Sequence, residues 1–574
     1  MGAEAGEGGG VGGEVRMERM AAMRAIKSVR LVVGMEVHVE LNTRTKMFSR
    51  APSVAAREFA GVGLAGGVGG VGGEHDKASG GGGGSGGGGV GPGPNVAIDP
   101  VVLGLPGALP VINREAITKS IGVGLALGCS IAKVTKWDRK GYFYPDLPKG
   151  YQISQYDLPL CFDGAVDVTT EEGTRRIGII RAHLEEDAGK LMHEAPGASG
   201  SGEALEGSII DLNRAGTALL EIVTAPDFCS ADECVVFAQE LRNLCRFLRV
   251  TEGVMQKGHV RFEPNINCVL ELEDGHVVKT PIVEVKNLNS FRSLKGAIEF
   301  ELREQPGRWR EDGREMSVGN KTTRGWDDVG ERTFLQRQKE DAADYRYFAD
   351  PDLLPVTIDE AWLASVRQGL PAMPAVKARA LRDEFALTQQ EAAALTEDRA
   401  VCDLFDAAVD EAASRGVARH QAARLIANIM LQSGAKRANE RSAAKVVTHG
   451  QGAQPVLVSD LGVSALQIGE LAALRDGGRI SAAHADELFG LLAEGAGVSA
   501  EVLATERSML LVRDDASLDA WVRQAIADNA KAAEDVRAGK DQAIGRIVGS
   551  AMKLAAGNAD ATTLRERIVR ELRG

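Results

Sequence analysis

Residues 35–41 read Met-Glu-Val-His-Val-Glu-Leu, an alternation of apolar and ionisable side chains. A period of two is the mark of a β-strand, whose successive side chains point to opposite faces. Val37, Val39 and Leu41 then share one face, and Glu36, His38 and Glu40 share the other. An antiparallel strand with one solvated face gives the same pattern. This strand alone therefore leaves a wet edge and a ligand set both open.

Three later segments repeat the pattern. In Ile180 to Glu185, the residues Arg181, His183 and Glu185 fall on one face. In Arg261 to Cys268, the residues Arg261, Glu263, Asn265 and Asn267 oppose Phe262, Ile266 and Cys268. Val283-Glu284-Val285-Lys286 alternates again. If the four strands share one sheet with their polar faces together, Glu36, Glu185, Glu263 and Glu284 converge. Two like charges about 4 Å apart repel by roughly 4 kcal/mol at an effective dielectric near 20. Such a cluster calls for protons, basic partners or a cation, and Mg²⁺ is the hard ion that prefers carboxylate oxygens and retained water. His38 is either a ligand or a residue that orients one. Magnesium held by a few carboxylates serves phosphate chemistry.

At 574 residues, with 44% hydrophobic and 26% charged side chains, the chain has the make-up of a soluble protein of several domains. It has no apolar run long enough to span a bilayer and no signal-peptide core, so no membrane association is expected. Its seven Cys residues are scattered without a CxxC pair, which argues against a disulfide scaffold and fits a reducing cytoplasm. A net charge of −13 does not advertise a nucleic-acid binder, and no DNA partner is expected, but a local basic face is compatible with it.

Composition divides the chain. Residues 1–28 form a low-complexity extension expected to be disordered. Residues 61–94 are a Gly-rich insert that cannot offset its ordering entropy. It is no phosphate loop, since no Gly-Lys-Ser/Thr follows it. From 29 to 360 the chain reads as short strands and a few helices, namely Thr118–Leu127, Ala231–Leu248 and Ser293–Glu304. After 360, Ala, Leu, Glu and Arg recur at helical spacing, which predicts an almost wholly helical 361–574. A connector over 361–424 and a tail over 425–574 are expected, with breaks near 450–460, Gly477-Gly478 and Gly495–Gly497. The fold class is therefore α+β, a mainly antiparallel sheet domain followed by an all-α tail. The end of the tail is rich in Lys and Arg, including Lys531, Arg537, Arg546, Lys553, Arg565 and Arg570. That pattern suits either a solvated helix face or contact with an RNA backbone.

Several motifs together carry a family resemblance. They include Gly34-Met35-Glu36-Val37-His38-Val39-Glu40-Leu41, Leu105-Pro106-Gly107-Ala108-Leu109-Pro110 and Arg139-Lys140-Gly141-Tyr142-Phe143-Tyr144-Pro145-Asp146-Leu147-Pro148-Lys149-Gly150. His183-Leu184-Glu185-Glu186-Asp187, Asn213-Arg214-Ala215-Gly216-Thr217, Lys286-Asn287-Leu288-Asn289-Ser290-Phe291 and Asp344-Tyr345-Arg346-Tyr347-Phe348 complete the set. In this order they resemble the B subunit of the aspartyl/glutamyl-tRNA(Asn/Gln) amidotransferases, from about residue 30 to the end.

The resemblance implies a ligase that works in a heterotrimer with the A and C subunits, the first an amidase and the second a small protein. It implies ATP- and Mg²⁺-dependent phosphorylation of the side-chain carboxylate of Glu-tRNA(Gln) or Asp-tRNA(Asn). Ammonia channelled from the A subunit then gives Gln-tRNA(Gln) or Asn-tRNA(Asn). It further implies a cradle-like sheet and a helical tail that grips tRNA. Carried over by motif, the metal site is Glu36, His38, Glu185, Glu263 and Glu284. Lys140, Tyr142, Lys149 and Glu186 would gate the ammonia path. Strand parity assigns Glu185 to the metal and turns Glu186 elsewhere. Two departures matter. Ser49 and Asp99-Pro100-Val101-Val102 stand where many members carry zinc-binding cysteines, so no zinc is expected. Glu263 replaces a common Asp, which shifts the carboxylate by about one methylene. Two other readings remain: a non-catalytic tRNA-binding scaffold with a vestigial metal site, and a metal-dependent kinase of a free small molecule.

Overall fold

The computed structural model describes residues 25–55, 93–194, 204–338, 345–449 and 456–574. Residues 1–24 of the expected extension, nearly all of the Gly-rich insert, Asp344 and the start of the expected break at 450–460 lie outside the described residues. The chain divides into two compact units, Met1–Met373 and Pro374–Gly574.

The first unit is built on a ten-stranded sheet. In chain order its strands are β1 (Ile26–Glu40), β2 (Ser130–Ile131), β3 (Cys161–Thr170), β4 (Gly173–Glu186) and β5 (Ala218–Thr224). They continue with β6 (Val260–Leu272), β7 (Val277–Lys279), β8 (Val283–Lys286), β9 (Thr322–Asp327) and β10 (Arg332–Gln338). The spatial order is β10-β9-β8-β6-β1-β5-β4-β3-β2, with β7 paired to β6. Every pairing is antiparallel except β8 with β9, which is parallel.

β1 begins at Ile26, inside the extension expected to run through residue 28. The Lys27 and Ser28 side chains bond Glu271 on β6, which supplies partners that composition alone does not reveal. The two sheet faces are chemically distinct. Leu31, Val33, Met35, Val37 and Val39 of β1 lie at most 4% exposed in one core with Phe262 and Ile266 of β6. Helices α1 (Arg114–Ala126), α2 (Ala231–Phe247) and α3 (Phe291–Asp312) cover that core. At the far end of the unit, a helix at Glu360–Gly369 packs on α1, with Trp362 Nε1 donating to Thr118 Oγ1 at 3.1 Å.

Each of these three helices starts where a side chain caps it. Asn113 accepts from the Glu115 and Ala116 amides, so α1 starts four residues before the expected Thr118. Ser230 caps α2 and Ser290 caps α3 in the same way. α3 runs past Pro306 to Asp312, well beyond the expected end at Glu304. An interior proline costs about 3 kcal/mol. Buried Trp309, and the Glu301 carboxylate bonded by Arg308 and Gln305 Nε2, hold the extra turns against it.

The second unit contains helices and no strand among its described residues. It has two apolar cores, one drawn from residues between Leu381 and Met509 and one from Leu518 to Leu572. The turns at Gly478 (φ +59°) and Gly495 (φ +103°) separate helices as expected. The boundary expected at 424/425 instead falls inside a helix, Arg419–Asn428. That helix continues through a wide turn at Ile429–Gly434 into Ala435–His449.

Candidate functional site

The polar faces of the four alternating strands meet on one side of the sheet. Glu36 on β1 lies opposite Glu263 on β6, and His38 lies opposite both Arg261 on β6 and Glu221 on β5. Glu221 in turn faces His183 on β4, and Asn265 on β6 faces Glu284 on β8. Arg261, His38, Glu221 and His183 thus form one rung across four strands.

The five expected metal ligands are brought together as two clusters. In the first, single donor atoms of His38, Glu185 and Glu221 lie within 4.8 Å of one another, and in the second those of Glu36, Glu263 and Glu284 do the same. His38 stands between them. Its Nε2 is 3.6 Å from Glu221 Oε2 and 3.9 Å from Glu185 Oε1, and its Nδ1 is 3.9 Å from Glu263 Oε1.

Sequence reasoning missed Glu221. Its same-face neighbours on β5 are Leu219 and Val223, so no alternation marks the strand. The available signal was a single carboxylate inside an otherwise apolar run.

Burial opposes charge throughout the first cluster, and neighbours decide the outcome. Burial, with the Glu221 charge added, raises Glu185 to about 7. For Glu221 burial pulls the same way, but His183, His38 and Lys140 outweigh it and hold the carboxyl well below its usual range. Burial lowers His38, yet its three carboxylate neighbours carry it up to about 9. His183 has Glu221 as its one carboxylate neighbour, and burial, helped by Arg181, Lys140 and His38, pushes it down to about 4.

The first cluster is faced by one lysine and the second by two, Lys286 and Lys321, the latter 3.9 Å from Glu36 Oε1. Lys140 faces Glu185 and Glu221, and its ammonium lies 6.0 Å from the Tyr142 ring centroid and 5.0 Å from that of Tyr345. Lys286 bonds Glu263 and lies 3.5 Å from Glu284 Oε1. Glu36 accepts from Asn265 Nδ2 at 3.0 Å, and Glu284 accepts from Thr323 Oγ1 at 3.1 Å.

The four expected gate residues split into two places. Lys149 and Glu186 form a buried ion pair, with Glu186 Oε1 also accepting from the Ile153 amide at 3.0 Å. Glu186 is on the opposite strand face from Glu185, as parity requires. Lys140 and Tyr142 sit instead with the first cluster. A hairpin of Asp138–Gly141 and Tyr151–Ser154 carries Lys140, Tyr142 and Lys149 and clamps the end of β4, which carries Glu186. Gln152 Nε2 donates to Glu186 O at 2.8 Å and Ser154 Oγ to Glu185 Oε2 at 3.2 Å.

Glu40 pairs with neither cluster. Arg261 bonds it together with Asp187 at the end of β4. Near Ser49 and Asp99, where a thiolate set is missing, side-chain and backbone bonds hold the loop. Asn213 Oδ1 accepts from the Val96 and Ala97 amides at 2.8 and 2.9 Å, and Asp99 Oδ1 accepts from Val102 N at 2.9 Å.

The donor set suits a hard divalent ion. It offers carboxylate oxygens and one imidazole with no thiolate, which excludes soft-metal chemistry. The Nδ1 atoms of His38 and His183 are buried with no hydrogen-bond partner among the described residues. An orphaned buried polar atom is costly, and a bound ion or water supplies the missing partner.

Residues 31–364 match the family described as the GatB/GatE catalytic domain, and residues 411–572 match the one described as the GatB domain. The B subunit of the aspartyl/glutamyl-tRNA(Asn/Gln) amidotransferase of Rhodopirellula baltica is 39% identical over 92% of this chain and 93% of its own length. The protein of the same name from Thermomicrobium roseum is 39% identical over 93% of this chain and 96% of its own. That of Caldicellulosiruptor bescii is 35% identical over 94% and 98%.

Proposed function

The chain belongs to the B-subunit family of the tRNA-dependent amidotransferases, and from that premise we propose that its carboxylate-lined face activates an amino acid carried on tRNA. The substrate is Glu on tRNA(Gln), Asp on tRNA(Asn), or both. The side-chain carboxylate oxygen attacks the γ-phosphorus of ATP and ADP leaves, which makes an acyl phosphate. Ammonia then attacks the acyl carbon, inorganic phosphate leaves, and the amide remains on the tRNA.

The observation that carries this reading is the pair of clusters on one sheet face, His38/Glu185/Glu221 and Glu36/Glu263/Glu284. These residues would hold Mg²⁺, which supplies charge neutralisation for the transferring phosphoryl oxygens. The chain's own groups do the rest. His38 stands between the two clusters, with Nε2 3.6 Å from Glu221 and Nδ1 3.9 Å from Glu263. The Lys140 ammonium, facing Glu185 and Glu221 and 5.0 Å from the Tyr345 ring centroid, adds positive charge beside the reacting carboxylate. The Lys149–Glu186 pair lies behind the first cluster and closes the route by which ammonia arrives from the glutaminase, the A subunit of the complex. The small C subunit makes up the rest of that complex.

The basic end of the tail would bind the tRNA backbone. Lys531, Arg537, Arg546, Lys553, Arg565 and Arg570 are carried there, whereas Arg567 and Arg573 are engaged by aspartates. No helix among the described residues is long and apolar enough to cross a membrane. The expected setting is the cytoplasm, beside the translation machinery.

The test is amidation of both misacylated tRNAs by the complex that co-purifies with the full chain, with and without ATP and Mg²⁺. Glu185→Ala should abolish amidation and leave tRNA affinity unchanged. Full activity in that variant overturns the reading.

A further inference from the structure

The second cluster contains a feature that the proposed phosphoryl transfer does not itself require. Glu284 is fully buried and the Glu263 side chain is 12% exposed, and both carboxylates are met by the ammonium of Lys286. Glu284 and Lys286 lie two residues apart on β8 and therefore on one strand face. The lysine thus reaches across the same surface on which Glu36, Glu263 and Glu284 converge. Carboxylates as buried as these need a partner cation. Here one residue of the chain provides it: the Lys286 ammonium bonds Glu263 and lies 3.5 Å from Glu284 Oε1.

An ammonium bonded to Glu263 and 3.5 Å from Glu284 competes directly with any divalent ion for the same oxygens. Both cannot hold those oxygens, because two cations within about 4 Å repel. The side chain has somewhere to go: it is 28% exposed, and its flexible stem carries three donors that re-aim freely. An arginine fork in that place would be tied to one orientation.

We propose that Lys286 is a resident counter-cation. It neutralises Glu263 and Glu284 while the cluster is metal-free, and it turns to the phosphate oxygens of ATP when a divalent ion enters. The inference rests on the metal and ATP reading above and adds to it a specific residue and a coupling. Metal entry releases an ammonium, and the released ammonium improves nucleotide binding. Free ATP and free metal therefore each bind weakly, and they bind well together.

The test uses Lys286→Met and Lys286→Arg in the full chain, within the assembly with which it co-purifies. Mn²⁺ binding without nucleotide is followed by electron paramagnetic resonance, and Mg–ADP binding by calorimetry. In Lys286→Met, Mn²⁺ affinity should rise about tenfold and Mg–ADP affinity should fall about tenfold. Lys286→Arg, whose fork stays on the carboxylates, should bind Mn²⁺ more weakly than the parent. A lysine with a merely structural role moves both affinities in the same direction or neither. If the methionine variant is too unstable to titrate, its thermal midpoint should rise more on adding Mg²⁺ than that of the parent. Unchanged or weaker Mn²⁺ binding in Lys286→Met, or an equal thermal response, overturns the proposal. The two levels separate cleanly. Equal Mn²⁺ binding by parent and variant removes only the role of Lys286, whereas no Mn²⁺ binding by either removes the metal reading with it.

Discussion

The Glu221 carboxylate lies 3.6 Å from His38 Nε2, across the β5–β1 pairing, and is held there by a second imidazole 3.5 Å away on His183. This contact completes a cluster that strand periodicity leaves one member short. It places a carboxyl held well below its usual range beside Glu185, whose own carboxyl burial raises to about 7.

Glu221→Gln keeps the shape and removes the charge. ATP-dependent amidation should then fall by at least about 100-fold, since losing even a residue that supports a metal ligand costs 10–100-fold. Affinity for tRNA should not change. Amidation kinetics at saturating ATP, with a filter-binding assay for tRNA, check both halves.

The Lys149–Glu186 pair is buried on both sides. Breaking one partner of a buried pair costs about 3–5 kcal/mol, while replacing both with apolar groups is far milder. Lys149→Met alone should therefore destabilise the sheet unit more than Lys149→Met with Glu186→Leu. Urea unfolding read by tryptophan fluorescence suits the test, because Trp137, Trp309, Trp326 and Trp362 all belong to that unit.

His259 supplies a pH signature away from the clusters. Burial, helped by Lys257, lowers its imidazole to about 4, and its Nδ1 is buried without a hydrogen-bond partner among the described residues. Between about 4 and 6.5 the unfolded chain holds the extra proton and the folded chain does not. Stability therefore rises with pH across that window, is fully present above about 6.5, and is lost as the pH falls towards about 4. From about pH 7 to pH 5 the loss is about 1–2 kcal/mol. His259→Gln should flatten that part of the stability–pH curve, measured by the same fluorescence.

The two kinds of arginine in the tail should behave differently. Arg546 and Arg565 are exposed, and reversing either to Glu should weaken tRNA binding and reduce its salt slope by about one for each phosphate no longer touched. Arg567 bonds Asp515 and Asp519, so Arg567→Ala should lower the thermal midpoint of the tail instead. Binding isotherms over a salt series, paired with calorimetry, separate the two outcomes.

Much of the site was legible because a strand reports its own faces. Glu36, His38, Glu185, Glu263 and Glu284 all lie where alternation placed them, and parity separated Glu186 from Glu185. Period-two patterning says nothing about a strand such as β5, whose one charged residue sits between Leu219 and Val223 on its face. It also gives faces but not neighbours: Lys286 could be read as sharing a face with Glu284, but its bond to Glu263 on β6 needed the pairing order. Helix ends moved for local reasons: the Asn113 cap lengthened α1 backwards, and the Glu301 network carried α3 past Pro306. The domain boundary expected at 424/425 missed because Ala- and Leu-rich helical periodicity runs unbroken through the wide turn at Ile429–Gly434.

Everything proposed for this face turns on whether the carboxylate of the tRNA-borne amino acid is phosphorylated there. Glu-tRNA(Gln), or Asp-tRNA(Asn), labelled with ¹⁸O in its side-chain carboxylate answers that, by mass analysis of the inorganic phosphate released during amidation. One ¹⁸O should pass to phosphate for each amide formed, and in Glu221→Gln the label transferred should fall in step with amidation. Amide formation that leaves the phosphate unlabelled would rule the phosphorylation out.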